Sequence, residues 1–196
     1  SIDVSKEEVN ALDMFKLLSE YVKIDTNSEE RKNFKLMANR IYEDAEKFGL
    51  KAKIVYDVLK DGYKLPHVYI QLPDAPKDAK KIVFSAHYDV VGTGNPDKWN
   101  WDPFCGKDDG ERILGRGAAD DKSGVVAGLF AFKEILEEGL KPKVYPVLAI
   151  AGGEETGLGE NFFKGLEGDV AVILDVGPDC LSIGACGVAR VEVIVE

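Results

Sequence analysis

Three apolar runs in this sequence each lead into a side chain that can bind or move charge. Residues 82–86 lead into His87-Tyr88-Asp89, residues 147–151 lead through Gly152-Gly153 into Glu154-Glu155, and residues 170–174 lead into Asp175. Asp120 and Asp121 follow a further short stretch, Gly115-Arg116-Gly117-Ala118-Ala119. His87 and Asp89 are two apart, so on an extended segment both point to one face. One can then bind a metal while the other orients it. Taken singly, each piece has an ordinary explanation: a solvent-facing histidine, acids at a helix N-terminus, a solvated turn. Asp175 resists one, because an unpaired carboxylate that ends a buried run is costly. Taken together the ordinary explanations fail. Asp89, Asp120, Glu154, Glu155 and Asp175 would meet at one rim of one sheet and repel unless cations neutralise them. One imidazole among carboxylates, with no thiolate at matching spacing, suits Zn, Mn or Co. We expect two metals.

The elements that must position these residues follow from the same runs. Apolar runs without alternation suit strands covered on both faces, as in a mostly parallel sheet. An amphipathic helix over roughly residues 122–138, closed by Gly139, separates the first two runs and makes a βαβ unit. Ligands of such sheets bind at the carboxyl ends of the strands, where all three runs aim their polar residues. Upstream, Val9, Leu12, Phe15, Leu18 and Val22 recur at helical steps. Thr26 and Glu29 have capping-box spacing and predict the start of a second helix. Its stripe is Phe34, Met37, Ala38, Ile41, Ala45 and Phe48, with Gly49 as C-terminal cap. Strand-type runs follow over 53–58 and 68–72, then a solvated turn between Leu72 and Lys81. The segment 91–117 is a long loop rich in Gly, Pro, Trp and Asp, which Trp99, Trp101 and Phe104 would pin down.

Composition narrows the partners. The chain has 196 residues with 45% hydrophobic and 31% charged residues, the balance of a globular protein that needs no disulfide staples. Its 25 Lys and Arg against 35 Asp and Glu give a net charge of -10, which argues against nucleic-acid or anionic-membrane partners. No apolar run approaches the ~20 residues that span a bilayer. Residues 1–10 are too polar and acidic for a signal peptide. Cys105, Cys180 and Cys186, without C-x-x-C spacing, read as reduced thiols of a cytoplasmic protein. Gly117 to Lys122-Ser123 imitates a P-loop, but Asp120 and Asp121 would repel a phosphate there. The Gly-Thr-Gly at 92–94 is too short for a dinucleotide fingerprint, and no G-x-S-x-G elbow is present.

In order along the chain, SAHYDVV (85–91), WNWDPF (99–104), LGRGAADDKSG (114–124) and AGGEETG (151–157) resemble the co-catalytic zinc peptidases and amidohydrolases. That family includes glutamate carboxypeptidase, aminoacylase, acetylornithine deacetylase, succinyl-diaminopimelate desuccinylase and cytosolic dipeptidases. The resemblance implies an α/β catalytic domain with a mostly parallel central sheet flanked by helices, and two divalent metals, Zn with Mn or Co as alternatives. It implies that His87 ligates one metal, with Asp89 orienting its ring, and that Asp120 bridges both. Glu155 would ligate the metal opposite His87, Asp175 would fall at the ligand beside His87, and Glu154 would be the general acid/base. A cis peptide between Asp120 and Asp121 is expected. The implied reaction is hydrolysis of an amide or peptide bond in a small peptide or N-acyl amino acid, by a water between the metals that Glu154 activates. An aspartate at 175 leans towards peptidases, with a deacylase or desuccinylase, a lid-less aminopeptidase and an inactive metal-binding module as alternatives.

The family also needs a late histidine ligand and a lid-domain histidine, whereas this sequence has 2 histidines. His67, after Leu65-Pro66, reads as part of a surface turn or strand start. Period-2 alternation over Ala189, Val191, Val193 and Val195 marks a strand with one buried face. The expectation is therefore an incomplete catalytic domain over 1–186 and, over 187–196, the first strand of a lid or dimerisation domain. On that expectation the 196-residue chain is inactive alone and the full-length protein is a homodimer.

Overall fold

The computed structural model describes residues 4–74, 76, 79–175 and 182. The expected strand over 187–196, the boundary before it, Cys180 and Cys186 lie outside the described residues. Two helices open the chain, α1 (Val4–Val22) and α2 (Phe34–Lys47). The strands β1 (Lys51–Val58), β2 (Lys64–Gln71) and β3 (Lys81–His87) follow. Next come a short hairpin of β4 (Lys107–Asp108) and β5 (Ile113–Leu114), then α3 (Lys122–Glu137) and β6 (Tyr145–Ala151). A short α4 (Glu160–Lys164) and β7 (Val170–Ile173) complete the described chain.

Among the described residues, five strands form one sheet in the order β1-β2-β6-β3-β7. The three unalternating runs are β3, β6 and β7, and these are mutually parallel, with His87 opposite Ala151. Every residue of β6 is buried, which is why its sequence carries no polar face. β1 and β2 pair antiparallel, and β2 joins β6 antiparallel only over residues 68–71. The sheet is therefore mixed, with a parallel half that carries the charged rim and an antiparallel edge.

Helices α1, α2 and α3 cover one face. Phe34, Met37, Ile41 and Leu129 pack there with Ile70, Leu148 and Ile150 from the sheet. The alternate residues Val83, Val147, Ala149 and Ala151 pack on the other face with Phe162 of α4. This covering of both faces explains why the middle strand β6 carries no charged residue.

The second helix begins later than its capping-box spacing predicts. Thr26 spends its hydroxyl on the Tyr88 carbonyl at 2.7 Å, and Asn27 bridges to Val90, so residues 26–28 line the end of β3 instead of opening a helix. The chain then turns through left-handed Arg31 and Asn33 into α2. Of the three aromatics expected to pin the long loop, Trp99 does so through its indole nitrogen, whereas Trp101 Nε1 is buried without a hydrogen-bond partner. Trp99 donates Nε1–H to the Thr93 carbonyl at 2.8 Å and carries the Arg116 guanidinium 5.5 Å from its ring centre. Among the described residues no helix is long and apolar enough to cross a membrane.

Candidate metal centre

Each charged residue of the rim is set by a strand end or a helix start. His87 is the last residue of β3 and is 2% exposed. Asp89 lies two residues on and is fully buried, and Glu154 and Glu155 sit in the turn after β6. Asp175 follows β7, and Asp120 and Asp121 immediately precede α3. The bond between Asp120 and Asp121 is cis. The carboxyl ends of all three parallel strands thus meet the N-terminus of α3.

The arrangement centres on the His87 ring. Its Nε2 lies 3.0 Å from Asp120 Oδ1, 3.5 Å from Asp175 Oδ2 and 3.8 Å from Glu154 Oε2. Glu155 joins His87 and Asp120 in a group whose donor atoms all lie within 4.8 Å of one another. His87, Asp121 and Asp175 form a second such group. On the far side of the ring, Nδ1 is 3.0 Å from the Asp89 carbonyl and 3.6 Å from its Oδ1. The structure therefore brings together every residue that the sequence singled out: His87, Asp89, Asp120, Glu154, Glu155 and Asp175.

Asp89 ties the two halves of the rim. Its Oδ1 accepts the Glu154 amide at 3.0 Å and its Oδ2 accepts the Glu155 amide at 3.1 Å. The two glutamates are thus anchored by their backbones, which leaves their side chains free to point at the ring. The turn itself depends on glycine. A Cβ on Gly152 would stand 2.2 Å from the Tyr88 hydroxyl and 2.9 Å from the Pro66 carbonyl. Gly153 has φ +76, which L side chains rarely adopt.

The electrostatics ask for positive charge. Burial disfavours a charged His87, yet Asp89, Asp121 and Glu154 outweigh it and push its pKa to about 10. Burial, aided by neighbouring carboxylates, raises Glu154, Glu155 and Asp175 above the usual range. A rim that raises its carboxylates and retains a proton on its imidazole is one that favours a cation. The donor atoms agree. His87 Nε2 is buried and meets hydrogen-bond geometry with none of the carboxylates around it, which suits a ligand nitrogen. One imidazole and several carboxylate oxygens suit a divalent ion such as Zn or Mn. A cavity of about 440 Å³ opens beside the rim, with His87, Glu154 and Asp175 in its wall alongside the apolar Val83, Phe163 and Ile173.

Three contributors had weak signals or none in the sequence. Asp121, read there as an ordinary helix-start acid, caps α3 through Gly124 N–H at 3.2 Å and also accepts the His87 amide at 3.0 Å. The cap was legible, the tie to His87 was not. Lys122 turns inward, fully buried, and donates to the Tyr21 and Ile24 carbonyls at 3.1 and 2.7 Å. That orientation removes it from any phosphate. Of the two readings of His67, the strand holds and the surface turn does not: it is fully buried within β2, which begins at Lys64. It belongs to neither donor group.

A buried imidazole facing a ring of carboxylates, at the carboxyl edge of parallel strands, is a donor set that could hold a divalent cation in an α/β protein. The chain belongs to peptidase family M20/M25/M40, which residues 83–194 match. It is 41% identical over 78 residues to a probable carboxypeptidase S-like 2 of Dictyostelium discoideum, covering 40% of this chain and 15% of that protein. It is 38% identical over 90 residues to a succinyl-diaminopimelate desuccinylase of Verminephrobacter eiseniae, covering 43% of this chain and 22% of that protein. Among solved structures, a metallo-carboxypeptidase of the M20 family from Sulfolobus solfataricus superposes with a TM-score of 0.70 at 26% identity. That match covers 84% of this chain and 37% of that one. The alignments with these two curated relatives thus span less than a quarter of either.

Proposed function

We propose that the protein hydrolyses an amide bond of a small peptide, with divalent cations held by His87, Asp120, Glu155 and Asp175. The observation that carries this reading is the convergence of Asp120, Glu154 and Asp175 on His87 Nε2, a buried nitrogen without a hydrogen-bond partner, with Glu155 in a donor group with His87 and Asp120. His87, Asp120 and Asp175 would hold one ion; Asp120, shared, and Glu155 would hold the other. Bound there, the ions would polarise the scissile carbonyl and acidify the attacking water. Asp89 positions the imidazole through the Nδ1 edge and fixes the Glu154-Glu155 backbone. Glu154, whose side chain is 43% exposed, can swing towards a substrate, take the proton of the attacking water and return it to the leaving amine. Glu155, grouped with His87 and Asp120, would serve the cation, and Glu154 the proton.

The aspartate at 175 supports a peptide substrate, by the family resemblance. Similarity to a desuccinylase supports the second reading, removal of an acyl group from an N-acyl amino acid. A homodimer is the proposed assembly of the full-length protein. The two substrate readings part in one assay: full-length protein, stripped with a chelator and reloaded with zinc, is offered dipeptides and N-acyl amino acids. Zinc-restored dipeptide hydrolysis supports the first reading, and faster N-acyl cleavage moves the assignment to the second. Hydrolysis of neither would sink both in favour of a metal-holding module without turnover.

A further inference from the structure

The sequence assigns His67 no role, and the rim does not use it, yet it is the most constrained polar group of β2. It is fully buried. Its Nδ1 accepts the Gly152 amide at 3.2 Å, at the point where β6 leaves the sheet for the glutamate turn. Its Nε2 faces Asp57 Oδ2 at 3.4 Å, and neither atom completes a hydrogen bond. The ring stacks on Phe162 of α4 with centroids 4.3 Å apart and planes 6° from parallel. His67 thus touches the chain both before and after the segment that presents Glu154 and Glu155. Its neighbour Pro66 accepts the Tyr88 hydroxyl at 2.6 Å, next to His87.

We propose that His67 is a positioning residue, locked as the neutral Nε2–H tautomer, that holds the Gly152 amide and so fixes where the glutamate turn leaves the sheet. The tautomer follows from the partners. An imidazole nitrogen that accepts an amide hydrogen carries no proton, so the proton resides on Nε2, where Asp57 attracts it. Burial, opposed by Asp57, lowers the ring's pKa below its ordinary value and favours that neutral form. The stack on Phe162 sets the plane of the ring, and within that plane Nδ1 is the nitrogen on the Gly152 amide. The role of the turn rests on the hydrolase reading above, but the tautomer and the amide contact do not.

The test uses full-length protein in three forms besides wild type. His67→Asn returns an oxygen to the place of Nδ1, His67→Gln moves the acceptor outwards to the place of Nε2, and His67→Phe keeps the stack and removes the acceptor. Nitrogen-15 correlation spectra of the wild-type imidazole should show Nδ1 unprotonated and Nε2 protonated at pH 7. Hydrogen exchange of the Gly152 amide should quicken by about tenfold or more in His67→Phe and His67→Gln, and stay within about threefold in His67→Asn. With a substrate in hand, kcat should fall by about tenfold in His67→Phe at nearly constant KM and recover in His67→Asn. An Nδ1–H tautomer or an imidazolium in the wild type overturns the proposal, whether or not any variant folds. So does a His67→Phe protein with unchanged exchange, or a His67→Asn protein as impaired as His67→Phe. A wild type without hydrolytic activity sinks the functional reading alone, because the tautomer and exchange results still decide this one.

Discussion

Replacing Asp89 by asparagine should loosen the whole rim at a cost that the contacts allow one to work out. The carboxylate is fully buried and each oxygen takes one backbone amide, Glu154 at 3.0 Å and Glu155 at 3.1 Å. An asparagine keeps the shape but offers one oxygen. The remaining amide of the pair then faces an NH2 group, donor against donor. The lost charge-assisted bond is worth roughly 1.5–3 kcal/mol and the stranded buried N–H a further ~1–3 kcal/mol. Losing a negative charge relieves repulsion from the rim carboxylates, but it also forfeits the attraction of the His87 ring, 3.6 Å away at Nδ1. These two effects oppose each other, so a net loss of about 3–5 kcal/mol is expected. That is a large share of the ~5–15 kcal/mol that holds a typical domain. Urea unfolding of wild type and Asp89→Asn in the presence of a chelator isolates the polypeptide from any contribution of bound cations. A loss below about 1 kcal/mol at unchanged m would refute Asp89 as the anchor of the glutamate turn.

Gly152→Ala should destabilise by at least about 2 kcal/mol, since its Cβ would stand 2.9 Å from the Pro66 carbonyl, a backbone atom that cannot step aside, and 2.2 Å from the Tyr88 hydroxyl; thermal unfolding within a degree or two of wild type would contradict the close approach. Tyr88→Phe should cost about 1–2 kcal/mol, because the Pro66 carbonyl loses its 2.6 Å donor inside the core. A midpoint lowered by roughly 2–8 °C checks it. Chelation should lower the thermal midpoint of the wild type and added zinc should restore it, because a cation that binds the folded rim alone stabilises it by mass action. An unchanged midpoint with and without zinc would argue that the rim holds none.

The parallel half of the sheet was legible in the sequence because burial on both faces erases alternation, and β3 and β6 carry that mark plainly; β7 lacks alternation too, yet Val170 and Ile173 are exposed, so there the same pattern does not report burial. The convergence of His87, Glu154, Glu155 and Asp175 was legible for a related reason, since parallel strands put their carboxyl ends on one edge; Asp120 reaches the same edge from the start of α3, the crossover helix between two of those strands. What escaped was decided by contacts between distant segments. Thr26 has the spacing of a helix cap, and only the nearness of the Tyr88 carbonyl at 2.7 Å claims its hydroxyl instead. His67 follows a proline and so reads as a surface turn or a strand start; the strand is right, and what the sequence hid is its full burial, since β2 pairs with β6 only over residues 68–71, which lets the strand carry Pro66 beyond that ladder. Asp121 has a cap signature, but nothing local announces that its other oxygen takes the His87 amide.

The division of labour between two adjacent glutamates is the centre of this account, and metal content measured beside turnover tests it most directly. In full-length protein, Glu154→Gln should keep the wild-type metal content and lose turnover by about 10²–10⁴-fold, the contribution of a positioned acid/base group. Glu155→Gln should lose metal. Equal metal loss in both variants, or a Glu154→Gln protein that turns over at the wild-type rate, would contradict it.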